Sequence, residues 1–182
     1  MRKSERTRER IAACALELFE HQGFEATTVA QIAEAAEVTQ MTVFRYFPSK
    51  EWLVLDDPYD PLIAELISTQ PHDLSPLARA AGGVLAAWKE MPEPEGDAVR
   101  RRIRVAATSP TVRAGQWRNN AETERLITEQ LTADGAERVE AAVAASAVLA
   151  ALTTALYIWA EDETMTLTDA ISIALTTLVS HD

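Results

Sequence analysis

The sequence lacks most of what an enzyme active site needs, and those absences narrow its function first. Its three histidines, His21, His72 and His181, are scattered along 182 residues. It has no glycine-rich phosphate loop, no metal-ligand spacing and no nucleophile with an evident base. The chain is therefore read as a non-enzyme that needs no cofactor or metal. Its one cysteine, Cys14, excludes an intramolecular disulfide. Cys14 lies in a helical pattern with Ala12, Ala15 and Leu18, so it is expected to be a small packing residue rather than a redox sensor. The basic N-terminus has no apolar stretch behind it, so no signal peptide is expected and the chain is read as cytoplasmic. There is no run of alternating β-branched residues, no internal repeat and no low-complexity tract.

One stretch must be tested as a membrane span. Residues 141–160 carry no charge, but they are rich in alanine, with Ser146, Thr153 and Thr154 inside. Membrane insertion is driven by dense Leu, Ile, Phe and Val content. A helix buried in a bundle or a dimer seam fits this composition better, and no membrane partner is expected. Net charge is −11. Residues 1–51 carry 7 basic and 8 acidic side chains, whereas the other 131 carry 10 and 20. The acidity thus sits in the second part, while Arg2, Lys3, Arg6, Arg8 and Arg10 crowd the N-terminus. A local basic patch can bind phosphate while the rest repels it, so indiscriminate nucleic-acid binding is disfavoured.

Helical periodicity runs through nearly the whole chain, predicting an all-α protein of about nine helices. The first runs from about Ser4 to Gln22 with Ile11, Ala15, Leu18 and Phe19 as its inner stripe, and Gly23 stops it. Thr27-Thr28 caps a short second helix, and Thr39 caps a third that reaches about Phe47. Pro48-Ser49 breaks that helix, and Ser49 is expected to cap a fourth from Lys50. Pro58, Pro61 and Pro71 then interrupt a connection. Further helices are predicted over about 76–90, 97–108, 112–133, 136–161 and 166–180.

The sharpest signal is Thr27 to Lys50, two short helices joined by a tight turn. That is the layout of a helix-turn-helix, whose second helix enters the DNA major groove. Val38, Val43 and Phe47 are spaced to face inward. Gln40, Met41, Thr42 and Arg45 then fall on the outer face. Gln and Arg can make paired hydrogen bonds to base edges, and Met and the Thr methyl can touch a thymine methyl. Thr28 and Lys50 sit at helix N-termini, where an amide and a cation suit a phosphate. The pattern alone is equally that of a polar solvated face.

The residues Gly23-Phe24, Thr27-Thr28-Val29, Ile32-Ala33, Val38, Thr42, Phe44-Arg45-Tyr46-Phe47 and Ser49-Lys50-Glu51, taken in order, change that balance. From about Arg6 to Leu55 the chain resembles the N-terminal domain of TetR-type repressors. The resemblance implies a DNA-binding domain over 1–50 and a ligand-binding and dimerisation domain over 51–182. It implies a ligand-responsive repressor, a homodimer on a palindromic DNA operator. Gln40, Met41, Thr42 and Arg45 become base-facing candidates, and Thr28, Thr39, Tyr46 and Lys50 phosphate-facing candidates. Two residues depart from the family. Glu37 stands in the turn where glycine is common, so strain or a different turn is expected. Phe44 stands where many relatives have tyrosine; unable to donate to a phosphate, it is assigned to packing. The run FRYFPSKE followed by DDPYDPLI is similar to a subgroup with acyl-CoA-like ligands, which implies an effector of that class.

Trp88, Met91, Trp117, Asn120 and Trp159 are the candidate effector-binding residues, because amphipathic rings can line an apolar cavity and still offer an N–H. Each could equally be a core or interface residue. Arg100, Arg101, Arg102 and Arg104 form a basic cluster, either a solvated face with surface ion pairs or a contact for a phosphate-bearing effector. Val143, Ala147, Ala150 and Leu178 are candidate dimer-seam residues. The competing function is a helical protein-interaction module whose head no longer reads DNA.

Overall fold

The computed structural model describes residues 3–55, 60–90 and 97–180. Among them are ten α-helices: α1 (Lys3–Gln22), α2 (Val29–Ala35), α3 (Gln40–Tyr46), α4 (Trp52–Leu55), α5 (Asp60–Ser68), α6 (Pro76–Glu90), α7 (Ala98–Thr108), α8 (Pro110–Ala133), α9 (Arg138–Glu161) and α10 (Leu167–Val179). They form two compact units. One comprises Met1–Asp56 with Asp97–Gln116, and the other Asp57–Gly96 with Trp117–Asp182.

In the first unit the chain's local chemistry sets each helix end. α1 buries Ile11, Ala15 and Phe19, while Leu18 is half-buried. It stops at Gly23, whose φ of 87° is open to glycine and costly for other residues. Thr28 caps α2 by accepting from the Gln31 amide, and the Gln31 side chain accepts from the Thr28 amide in return. α2 ends in a Schellman motif. The Glu37 amide donates to Glu34 and the Val38 amide to Ala33, with Glu37 itself at φ 51°. Thr39 then caps α3 by accepting from the Thr42 amide. Ile32, Ala33, Ala36, Val43 and Phe47 close a small core, with Val38 half-buried at its edge. α7 packs on α1 and α4 in this same unit.

Helix α4 begins at Trp52, two residues after the predicted start. Ser49 does not cap an amide; its hydroxyl donates to the Glu51 carboxylate at 2.5 Å. The predicted connection after residue 55 also contains a helix, α5, which makes ten helices among the described residues where about nine are expected. Pro61 is its second residue, in the first turn, where no intrahelical amide bond is lost.

In the second unit α6 packs against α5, α9 and α10, and α9 against α10. The Ser75 hydroxyl accepts from the Ala78 amide at the start of α6, and Thr166 caps α10 by accepting from Asp169. α8 ends at Ala133, and Gly135 two residues on has a φ of 100°, which suits glycine. α5 and α6 approach very closely at Gly83, where an added Cβ would lie 2.7 Å from the Ile67 Cα. Arg79 of α6 is buried and pairs with Asp134 beyond the end of α8 at 2.5 Å.

Candidate DNA-binding surface and effector region

The outward face of α3 carries four exposed side chains, Gln40, Met41, Phe44 and Arg45. Three of them match the predicted base-facing set. Thr42, the fourth predicted member, is half-buried, and its hydroxyl lies 3.0 Å from that of Thr39. Phe44, which the sequence assigns to packing, is instead 46% exposed, because Val43 and Phe47 already fill the inward positions. The predicted phosphate-facing residues divide. Thr28 and Thr39 are exposed, each with its side-chain oxygen engaged as a cap. Tyr46 is half-buried, and the Arg45 guanidinium carbon lies 5.1 Å from its ring centroid.

Lys50 reaches inward across the unit. Its ammonium donates to the carbonyls of Phe24 at 2.7 Å and Thr27 at 2.8 Å, and sits 4.1 Å from the centroid of the Phe24 ring. These bonds tie the end of α3 to the loop before α2, a role that nothing in the local sequence pattern signals. Glu37 is exposed and left-handed, so of the two expected outcomes the structure has the strained turn and not a different one. A left-handed conformation costs a non-glycine residue about 1–2 kcal/mol. Cys14 is half-buried, and burial followed by the Glu17 charge pushes its thiol above the ordinary value. A thiol held protonated is a poor redox sensor.

Two bonds within the first unit had no sequence signal. Arg101 forms an ion pair with Glu20 of α1, its Nε donating at 2.8 Å. The Ser109 hydroxyl accepts from the Val112 amide and donates to Glu25 at 2.7 Å. The Arg101 hydrogen bonds hold the Glu20 carboxyl below its ordinary value, and the Ser109 hydroxyl does the same for Glu25. The basic cluster thus lies in the first unit and makes at least one surface ion pair.

Among the candidate effector residues, Trp88 is half-buried and its indole N–H donates to Thr168 at 3.1 Å. Trp159 is buried and Asn120 half-buried. Met91 and the Trp117 side chain lie outside the described residues. The structure links Trp88 on α6 to α10 through a bond that a bundle core would also use. The candidate seam residues gather more clearly. Ala147, Ala150 and Leu178 line an apolar groove of about 540 Å³ on α9 and α10, together with Ile158 and Ile173. Val143 on α9 is 63% exposed. By length and composition α9 could cross a membrane, and 33% of its apolar window is buried.

Comparison with known proteins accounts for both units. The family model for bacterial regulatory proteins of the tetR family matches residues 11–56. A second model, the MftR C-terminal domain, matches residues 74–181, more than half of the chain. The chain is 37% identical over 107 residues to the HTH-type transcriptional regulator TcmR of Streptomyces glaucescens, covering 58% of this chain and 47% of TcmR. It thus spans about half the length of that relative. A crystal structure of native NalD, the secondary repressor of the MexAB-OprM multidrug efflux pump in Pseudomonas aeruginosa, is 27% identical with a TM-score of 0.62, covering 96% of this chain and 95% of NalD. The complex of SmeT with triclosan shares the fold at 20% identity and a TM-score of 0.61, covering 96% and 90%. With a capped helix-turn-helix at its head and family models matching residues 11–56 and 74–181, the chain belongs to the tetR family of bacterial regulatory proteins.

Proposed function

We propose that this protein is a ligand-responsive transcriptional repressor that binds a palindromic DNA operator as a homodimer. Residues 1–50 read the DNA and residues 51–182 bind effector and build the dimer. The observation that carries the reading is the outward face of α3, where Gln40 and Arg45 stand exposed on a helix whose inner side is locked into the head. Both side chains suit paired hydrogen bonds to base edges. Thr28, Thr39, Tyr46 and Lys50 are the phosphate-contact candidates. For Lys50 that role would share the ammonium with the two carbonyls it already serves.

A second copy of the chain is the proposed cover for the α9–α10 groove. Half of its lining is alanine, with Ile158, Ile173 and Leu178 among the rest, which lets helices approach closely and buries apolar surface. Two α3 helices in such a dimer would meet successive major grooves about 34–36 Å apart. A small-molecule effector would favour a dimer with another spacing, and could release DNA only as far as it prefers that state. An acyl-CoA-like molecule is the class that the resemblance after residue 55 implies, with Trp88, Met91, Trp117, Asn120 and Trp159 as candidate contacts.

The test is selection from a random double-stranded DNA library at two salt concentrations, followed by sequencing of the retained pool. A recovered palindrome, bound less tightly at high salt, is the expected result. No enrichment from a folded dimer at low salt would favour the helical interaction module instead.

A further inference from the structure

We infer that α3 reads thymine methyl groups through an apolar ridge made of Met41 and Phe44, an assignment that rests on the DNA-binding reading above. Single exposed apolar side chains are ordinary on protein surfaces. These two differ because they are neighbours. Residues three apart on a helix lie side by side on one face. Met41 is 78% exposed and Phe44 46% exposed, on the same face as Gln40 and Arg45. Neither fills the core of the head, which Ile32, Ala33, Ala36, Val43 and Phe47 complete.

The polar capacity of this face is smaller than its sequence suggests. The Thr39 and Thr42 hydroxyls are engaged with each other and with the Thr42 amide. The Arg45 guanidinium lies beside the Tyr46 ring. Half of the exposed reading surface is therefore apolar. The major groove offers apolar side chains one strongly matched partner, the C5 methyl of thymine, since the other edge groups are hydrogen-bond donors and acceptors. Three residues of helix rise about 4.5 Å. One base-pair step is about 3.4 Å and two steps about 6.8 Å. The ridge thus matches methyl groups on consecutive base pairs, and each operator half-site should hold two adjacent A·T pairs under α3.

The test begins with the operator recovered by selection and replaces each thymine by deoxyuridine, which deletes the methyl and leaves the base-edge acceptors. Two adjacent positions per half-site should each weaken binding about fourfold, the worth of one buried methyl-sized group. The slope of affinity against salt should not move, because no phosphate contact changes. Met41→Ala and Phe44→Ala alter exposed positions, and thermal melting checks that each remains folded. Each variant should become indifferent to deoxyuridine at one of the two positions and keep the wild-type response at the other. An operator bound equally well with every thymine replaced would overturn the methyl reading while leaving DNA recognition intact. A deoxyuridine penalty of unchanged size in both variants would also overturn it, by assigning the effect to DNA shape. Failure to recover any operator would remove both this inference and the reading beneath it.

Discussion

The two compact units of this chain fix their helices by different means. In the first unit α2 and α3 have seven residues each, too few to be stable alone. Hydrogen bonds spanning a few residues settle where they start and stop: the Thr28–Gln31 capping box, the Schellman turn at Glu37 and the Thr39 cap. In the second unit α9 has 24 residues, and the Glu137 side chain at its start makes no capping bond. What holds it is packing against α6 and α10. Each unit is therefore vulnerable in a different place. The head should respond modestly to changes in its turns, whereas the second unit should respond strongly to loss of a contact between residues far apart in sequence.

The largest effect should follow Arg79→Ala. The Arg79 and Asp134 side chains are 4% and 14% exposed, so the variant strands a largely buried carboxylate. Removing one partner of a buried pair costs about 3 kcal/mol, to be read as a lower urea midpoint. Burial alone would raise the Asp134 carboxyl, but bonds from Gln130 and Arg79 hold it below its ordinary value of 3.8. A carboxyl depressed on folding stabilises the native state above that value and loses its contribution as pH falls through the folded one. The gap between wild type and variant should therefore narrow as pH drops below about 4. A loss under about 1 kcal/mol at neutral pH would show that the pair behaves as a solvated one.

The adjacent glycines of α6 put a similar contrast within one helix. At Gly83 a new Cβ meets the Ile67 backbone, at 2.8 Å from its amide nitrogen, so α5 and α6 must part. Gly83→Ala should cost about 2 kcal/mol. At Gly82 the nearest atom, 2.5 Å away, is the Gln70 side-chain oxygen, which can swing aside. Gly82→Ala should be neutral or stabilise by up to about 1 kcal/mol through helix propensity. Equal thermal midpoints for the two variants would refute the close approach.

The smallest effect belongs to the head. Glu37→Gly relieves a left-handed conformation and should stabilise the protein by about 0.5–1 kcal/mol, less than the strain removed because glycine gives up more chain entropy. A destabilised variant would mean that the Glu37 side chain makes a compensating interaction.

Helix ends are the most legible feature of this chain. Gly23, Thr28 and Thr39 mark them in the first unit because each satisfies, or conformationally permits, backbone bonds within a few residues. Glu37 announces its own strain for the same reason. The second unit carries fewer such marks. Pro61 could open a helix or interrupt one, and only the packing of α5 on α6 decides that.

Helical period and capping are local properties of the chain. The all-α class, the capped helix-turn-helix and the inward Val43 and Phe47 therefore follow from the order of residues alone. Other features exist only in the packed molecule: Asp97–Gln116 joins the head, Lys50 turns inward, Arg79 meets Asp134 and Phe44 faces solvent. Burial and charge pairing depend on residues brought together across long stretches of chain, 23 positions for Lys50–Thr27, 55 for Arg79–Asp134 and 84 for Ser109–Glu25. No local pattern encodes which of the candidate partners will meet.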